Sequence, residues 1–144
     1  MLSKSVRSIL IVTILLTGIS CSKSNGGSAS NETIASIITQ GSWKVHLYLN
    51  ESKDETASYS SFVFTFNSNG SMTAVNGAVT TTGTWTEAVD SGKRKFTLKW
   101  NGGGIPVLLL QIEEDWILKS KSATMIELTD VTATNNDEIH FQKQ

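Results

Sequence analysis

The stretch Gly41-Ser42-Trp43-Lys44-Val45-His46-Leu47-Tyr48-Leu49-Asn50 constrains this chain more than any other. Trp43, Val45, Leu47 and Leu49 alternate with Lys44, His46, Tyr48 and Asn50. A period of two is the mark of a β-strand with one buried face. A strand cannot stand alone, so the rest of the chain must supply its neighbours.

The residues after it do so. Ser61 to Asn67 sets Phe62, Phe64 and Phe66 on one face, and Asn69-Gly70 is a strong hairpin signal. Ser71 to Asn76 and the Thr-rich Val79 to Glu87 follow, with a second Asn-Gly at Asn76-Gly77. Ser91-Gly92 turns the chain into Arg94 to Trp100, where Phe96, Leu98 and Trp100 alternate with charged or hydroxyl residues. Asp115 to Lys121, Ala123 to Thr129 and Glu138 to Lys143 complete eight strands joined mostly by short turns. That pattern predicts an all-β fold, an eight-stranded antiparallel up-and-down barrel. Ile105 to Ile112 reads as an irregular, buried connection across one end, because Pro106 argues against a central strand. Simple alternation puts the Asn50–Ser58, Gly102–Gly104 and Asp130–Asp137 loops at one end, the expected open mouth, with Asn50–Ser58 as its lid.

Before the first strand, Asn31 to Gln40 predicts a short helix. Asn31 would cap it, Glu32 would lie in its first turn, and Ile34, Ile37 and Ile38 would form one apolar stripe. So short a helix must pack on the barrel to persist.

The first thirty residues look like delivery. Lys4 and Arg7 precede a mostly apolar run that ends in small residues just before Cys21. The run falls short of the ~20 apolar residues a spanning helix needs. Thr17-Gly18-Ile19-Ser20-Cys21 resembles a permissive bacterial lipobox, with Gly18 where a Leu is usual. By that resemblance residues 1–20 are a lipoprotein signal peptide and Cys21 is the lipidation site, carrying palmitate-type acyl chains. Ordinary signal cleavage with a free thiol, or an uncleaved anchor, are the competing readings. Cys21 is the chain's one cysteine, so no intrachain disulfide forms. The Ser/Gly-rich stretch after it makes residues 21–30 a flexible tether; nine such residues reach ~17 Å. Surface-displayed lipoproteins of the Bacteroidota type often carry acids just after the cysteine. Here Lys23 stands in a stretch without acids, which implies an outer-membrane lipoprotein of the cell envelope facing the periplasm.

Gly41-x-Trp43 after a short helix, Phe62-x-Phe64-x-Phe66-Asn67-x-Asn69-Gly70, Gly83-x-Trp85, Asp115-Trp116 and Ile139-x-Phe141-x-Lys143 together resemble the lipocalin-like (calycin) domains of bacterial lipoproteins. The resemblance covers residues 31–144, which form the barrel domain. It implies a barrel floor of Gly41, Trp43 and Lys143. Lys143 would pair with Trp43 across the first and last strands. The same register would set His46 beside His140 on the outside. The chain is shorter than a full-length lipocalin and lacks the long C-terminal helix, so a large ligand cavity does not follow.

Chemistry is sparse. Without Lys4 and Arg7, 10 basic residues face 13 acids, which offers no clustered basic face for nucleic acid. No nucleophile elbow, phosphate loop, dinucleotide fingerprint or metal-ligand spacing is present, so the reading is a non-enzyme with no catalytic residues, no metal and no cofactor. Two functions stay open. In one, the barrel binds a small hydrophobic ligand, walled by Phe62, Phe64, Phe66, Phe96, Leu98, Trp100, Trp116, Leu118 and Ile126. In the other, those side chains fill the interior. The domain is then an envelope accessory, partner-binding or inhibitor protein acting through its surface. Either way the N-terminal lipid makes the membrane a partner.

Overall fold

The computed structural model describes residues 32–132 and 136–144. The leader, Cys21, the tether and Asn31 lie outside the described residues. A short helix α1 (Ile34–Ile38) leads into β1 (Ser42–Asn50), a two-residue β2 (Lys53–Asp54) and a 3-10 turn (Thr56–Tyr59). There follow β3 (Phe62–Phe66), β4 (Ser71–Asn76), β5 (Val79–Asp90), β6 (Lys93–Trp100), a second short helix α2 (Val107–Gln111), β7 (Asp115–Lys121), β8 (Met125–Asp130) and β9 (Glu138–Lys143). Each of β3 to β9 pairs antiparallel with the next. β1 joins β3 on one side and β9 on the other, which closes eight strands into a barrel. β2 is an outlier that pairs only with the end of β1. Closure leaves none of the eight as a sheet edge over its whole length.

The first strand departs from its own alternation. Trp43 pairs with Lys143, Lys44 with Gln142 and Val45 with Phe141, and then the register slips so that Leu47 faces His140 and Tyr48 faces Ile139. His46 is the extra, exposed residue of a β-bulge. One added residue flips every later side chain to the opposite face. Tyr48 therefore enters the core, while Leu47 and Leu49, expected inside, are only half-buried. The same slip removes the expected His46–His140 pair: His140 lies across from Leu47 and Glu127, its ring 3.1 Å from Glu138. A second irregularity follows at Lys119 in β7; Leu118, just before it, pairs with Leu128 and packs half-buried against the core.

Short helices close both ends. α1 is shorter than expected, and its cap is Thr33, whose hydroxyl accepts from Ser36 N at 3.1 Å. Ile34, Ile37 and Ile38 are buried under the Trp43 end. At the other end, Ile105 to Ile112, expected as an irregular buried connection, is wound into α2 and buried only in part: Leu109 and Ile112 are fully buried, whereas Val107, Leu110 and Gln111 are exposed. The expected mouth is thus covered. Its proposed lid is β2 and the 3-10 turn, and Tyr59 from that turn is fully buried.

Candidate functional site

The expected ligand wall faces the barrel interior. Phe62, Phe64, Phe66, Phe96, Leu98, Trp116 and Ile126 point inward, and none exposes more than 2 % of its surface; Trp100 exposes 7 %. Exposure that low leaves no ligand-sized void against these side chains. They meet each other and partners outside the expected ligand wall. Phe141 stands edge-on to Phe64 at 5.4 Å and to Phe66 at 5.7 Å between ring centres. Phe66 also contacts Phe96 at 5.8 Å, and Phe96 contacts Trp85 at 5.5 Å. Phe141 had a readable signal, its alternation with Ile139. Tyr48 and Tyr59 had none, because one enters through the bulge and the other through a turn.

Five of the polar side-chain tips in this core hold the two end caps, while Trp85 Nε1 donates to Asn67 O and Ser71 O in the β3–β4 turn. A five-residue helix leaves most of its carbonyls without partners of its own. Trp43 Nε1 donates to Ile38 O at 2.7 Å in the α1 cap. At the other end Tyr59 Oη donates to Leu108 O at 2.7 Å, Trp100 Nε1 to Leu109 O at 2.8 Å, Tyr48 Oη to Gln111 O at 3.1 Å and Trp116 Nε1 to Ile112 O at 3.2 Å. Each ring buries its apolar body in the barrel and spends its polar tip on a helix terminus. Burial, with Asp137 and Glu55 nearby, pushes the Tyr48 hydroxyl up to about 12. Burial also raises Tyr59, helped by Tyr48 and Glu55. Among the described residues no buried polar or charged side chain is left over, and no buried side-chain nitrogen or oxygen lacks a partner. A ligand pocket needs a few polar groups free to orient its guest.

The floor residues come together. Trp43 and Lys143 are cross-strand partners, and Trp43 is fully buried. Gly41 has φ +85°, and a Cβ there would lie 3.2 Å from Cε of Lys143, so the lysine stem passes directly over it. The echo at Gly83-x-Trp85 has a different cause. A Cβ on Gly83 would sit 2.4 Å from Lys99 O and 2.6 Å from Met72 Cε, so this glycine answers close approach and not an unusual φ.

The concavities that remain are outside. A groove of about 470 Å³ runs between the start of α1 and the β5–β6 hairpin, bordered by Thr33, Trp85, Glu87, Val89 and Arg94. Glu87 organises it. Its carboxylate accepts from Ile34 N at 3.0 Å and Ala35 N at 2.7 Å, and it pairs with Arg94. A strand residue thus caps a helix fifty residues earlier, where negative charge suits the dipole. No local pattern could have announced it. Among the described residues no group of three or more His, Cys, Asp or Glu is placed to hold a metal ion.

No family model matches the chain, and no curated protein matches it. Among solved structures it is similar to a DUF4847 family protein from Bacteroides vulgatus ATCC 8482. The identity is 15 %, over 78 % of this chain and 98 % of that one, with a TM-score of 0.56. At that identity the likeness shows the fold alone. The barrel is common to both.

Proposed function

We propose that this chain is a lipid-anchored envelope protein whose barrel is a solid scaffold and whose work is done by its outer surface, as an accessory, partner-binding or inhibitory protein and not as an enzyme. The observation that carries this reading is the filled interior. The same aromatic side chains that would wall a ligand are packed on one another, and their polar tips are consumed by the end caps. An eight-stranded barrel has room for side chains or one small ligand, not for both in full. The anchor rests on Cys21, the chain's one cysteine, placed at the end of an apolar run behind Lys4 and Arg7. The fold neighbour adds the architecture and nothing about activity.

Native mass spectrometry of the protein purified from its own host tests both parts. The expected mass is the chain from Cys21 plus covalent acyl chains, with no further apolar adduct. Cys21→Ser should abolish the acylation and move the protein to the soluble fraction. A stoichiometric apolar molecule released on unfolding would overturn the scaffold reading. A Cys21→Ser protein that stays on membranes through detergent-free washing would overturn the anchor.

A further inference from the structure

The barrel end roofed by α2 carries an apolar face that the fold does not use. Val107 and Leu110 are three residues apart on α2, so they share one side of the helix. They are 71 % and 47 % exposed, whereas Leu109 between them is fully buried. Neither belongs to the core or packs against it, although Ile105 and Leu108 of the same segment do. Single exposed apolar residues need no explanation. A pair on one helix face, beside an excess of carboxylates, does.

The frame is acidic. Glu113 and Glu114 continue the chain from α2. Glu55 and Asp137 lie near enough to act on Tyr48, whose hydroxyl is bonded to the last carbonyl of α2. Asp130, Asp115 and Asp137 act in the same sense on Glu114, which burial already raises. The cations beside these acids are fewer: Lys53 is held by Glu55 at 2.7 Å, Lys99 shares a groove with Glu113, Glu114 and Asp115, and Lys93 shares one with Asp130. Among the described residues, α1 and its groove lie at the opposite end of the barrel from α2.

From this juxtaposition we propose that the α2 end is a docking surface for a protein partner that presents an apolar side chain flanked by lysines or arginines. The apolar group seats on Val107 and Leu110, and the cations face the carboxylate rim. The proposal deepens, and rests on, the reading that the barrel acts through its outer surface. Apolar contact at the centre supplies affinity, and the charged rim supplies attraction at a distance and salt dependence. An anionic lipid surface is disfavoured by the rim, and so is a second copy, which would set two acidic rims face to face.

The test uses the full chain in zwitterionic nanodiscs and a fluorescent amphipathic peptide of alternating leucine and lysine blocks, read by anisotropy. The peptide should bind, weaken as salt is raised, and lose affinity about tenfold or more in the Val107→Ser/Leu110→Ser double variant. Glu114→Lys should weaken it comparably, and Val89→Ser, 65 % exposed at the far end, should not. Melting temperatures of all variants should match the parent because these side chains are outside the core. Binding that ignores the Val107/Leu110 and Glu114 substitutions, equal binding of a peptide with glutamate for lysine, or self-association or anionic-vesicle binding that depends on Val107 and Leu110 would each overturn the proposal. The two readings fail separately. A guest inside the barrel overturns the scaffold whatever the peptide does, and a peptide bound elsewhere on the outside overturns only the α2 surface.

Discussion

Replacing Glu87 with alanine should detach α1 from the barrel. The carboxylate takes two backbone hydrogen bonds, from Ile34 N at 3.0 Å and Ala35 N at 2.7 Å, and it also partners Arg94. Its side chain is 9 % exposed against 35 % for Arg94, so the protein screens this cluster from water on the Glu87 side. A hydrogen bond to a charged group contributes ~1.5–3 kcal/mol net. Two would give twice that, but water entering the adjoining groove can satisfy the freed amides in part. The expected loss is therefore about 3 kcal/mol, or about 12 °C in melting temperature for a barrel of this size. Glu87→Gln keeps one carbonyl acceptor and should lose about half as much. Arg94→Met leaves both amide bonds in place and should cost about 1 kcal/mol, discounted for its exposure. Urea unfolding of the full chain in detergent micelles measures the loss. Amide exchange at Ile34 and Ala35, with tryptophan emission, locates it. When α1 lifts, Trp43 loses the Ile38 carbonyl and meets water, so its emission should shift to the red. A Glu87→Ala loss below about 0.5 kcal/mol, or a larger loss without faster exchange at Ile34, would refute the capping argument.

Three further outcomes are expected. Both tyrosines should resist titration. Tyr48, raised to about 12, favours the neutral phenol in the folded state, so its stabilisation is complete below pH ~10 and is lost as pH rises towards 12; tyrosinate absorbance developing at pH ~10 in the folded protein would contradict the buried hydrogen bonds. Gly83→Ala should destabilise by about 2–3 kcal/mol, since its Cβ would strike the Lys99 carbonyl at 2.4 Å, whereas Gly77→Ala meets nothing within 4 Å and should cost only the strain of φ +59°, about 1 kcal/mol; equal losses in urea unfolding would show that the close approach is not limiting. Phe141→Ala should cost about 3–5 kcal/mol and open a dry cavity beside Phe64 and Phe66 that admits a small apolar probe the parent excludes, as read by NMR shifts of the flanking rings.

Much of the barrel was legible because its information is local. Alternation names inward faces on β3 and β6, Asn69-Gly70 and Ser91-Gly92 place hairpins, and Pro106 argues against a strand in the Val107–Leu110 run. Even the closing register at Trp43 and Lys143 followed from parity and the count of strands. What the sequence could not show depends on geometry between distant residues. The bulge at His46 exists because β1 must fit β9 at both of its ends, and that one extra residue decides that Tyr48 and not Leu47 enters the core. Glu87 caps α1 only because closure brings β5 beside the start of the helix. The sequence left the aromatic side chains open to two readings, as walls or as filling. In the tertiary structure they act as filling, because rings from strands that are not neighbours reach one another inside so narrow a barrel, and the two short helices take up donors that a ligand would have used.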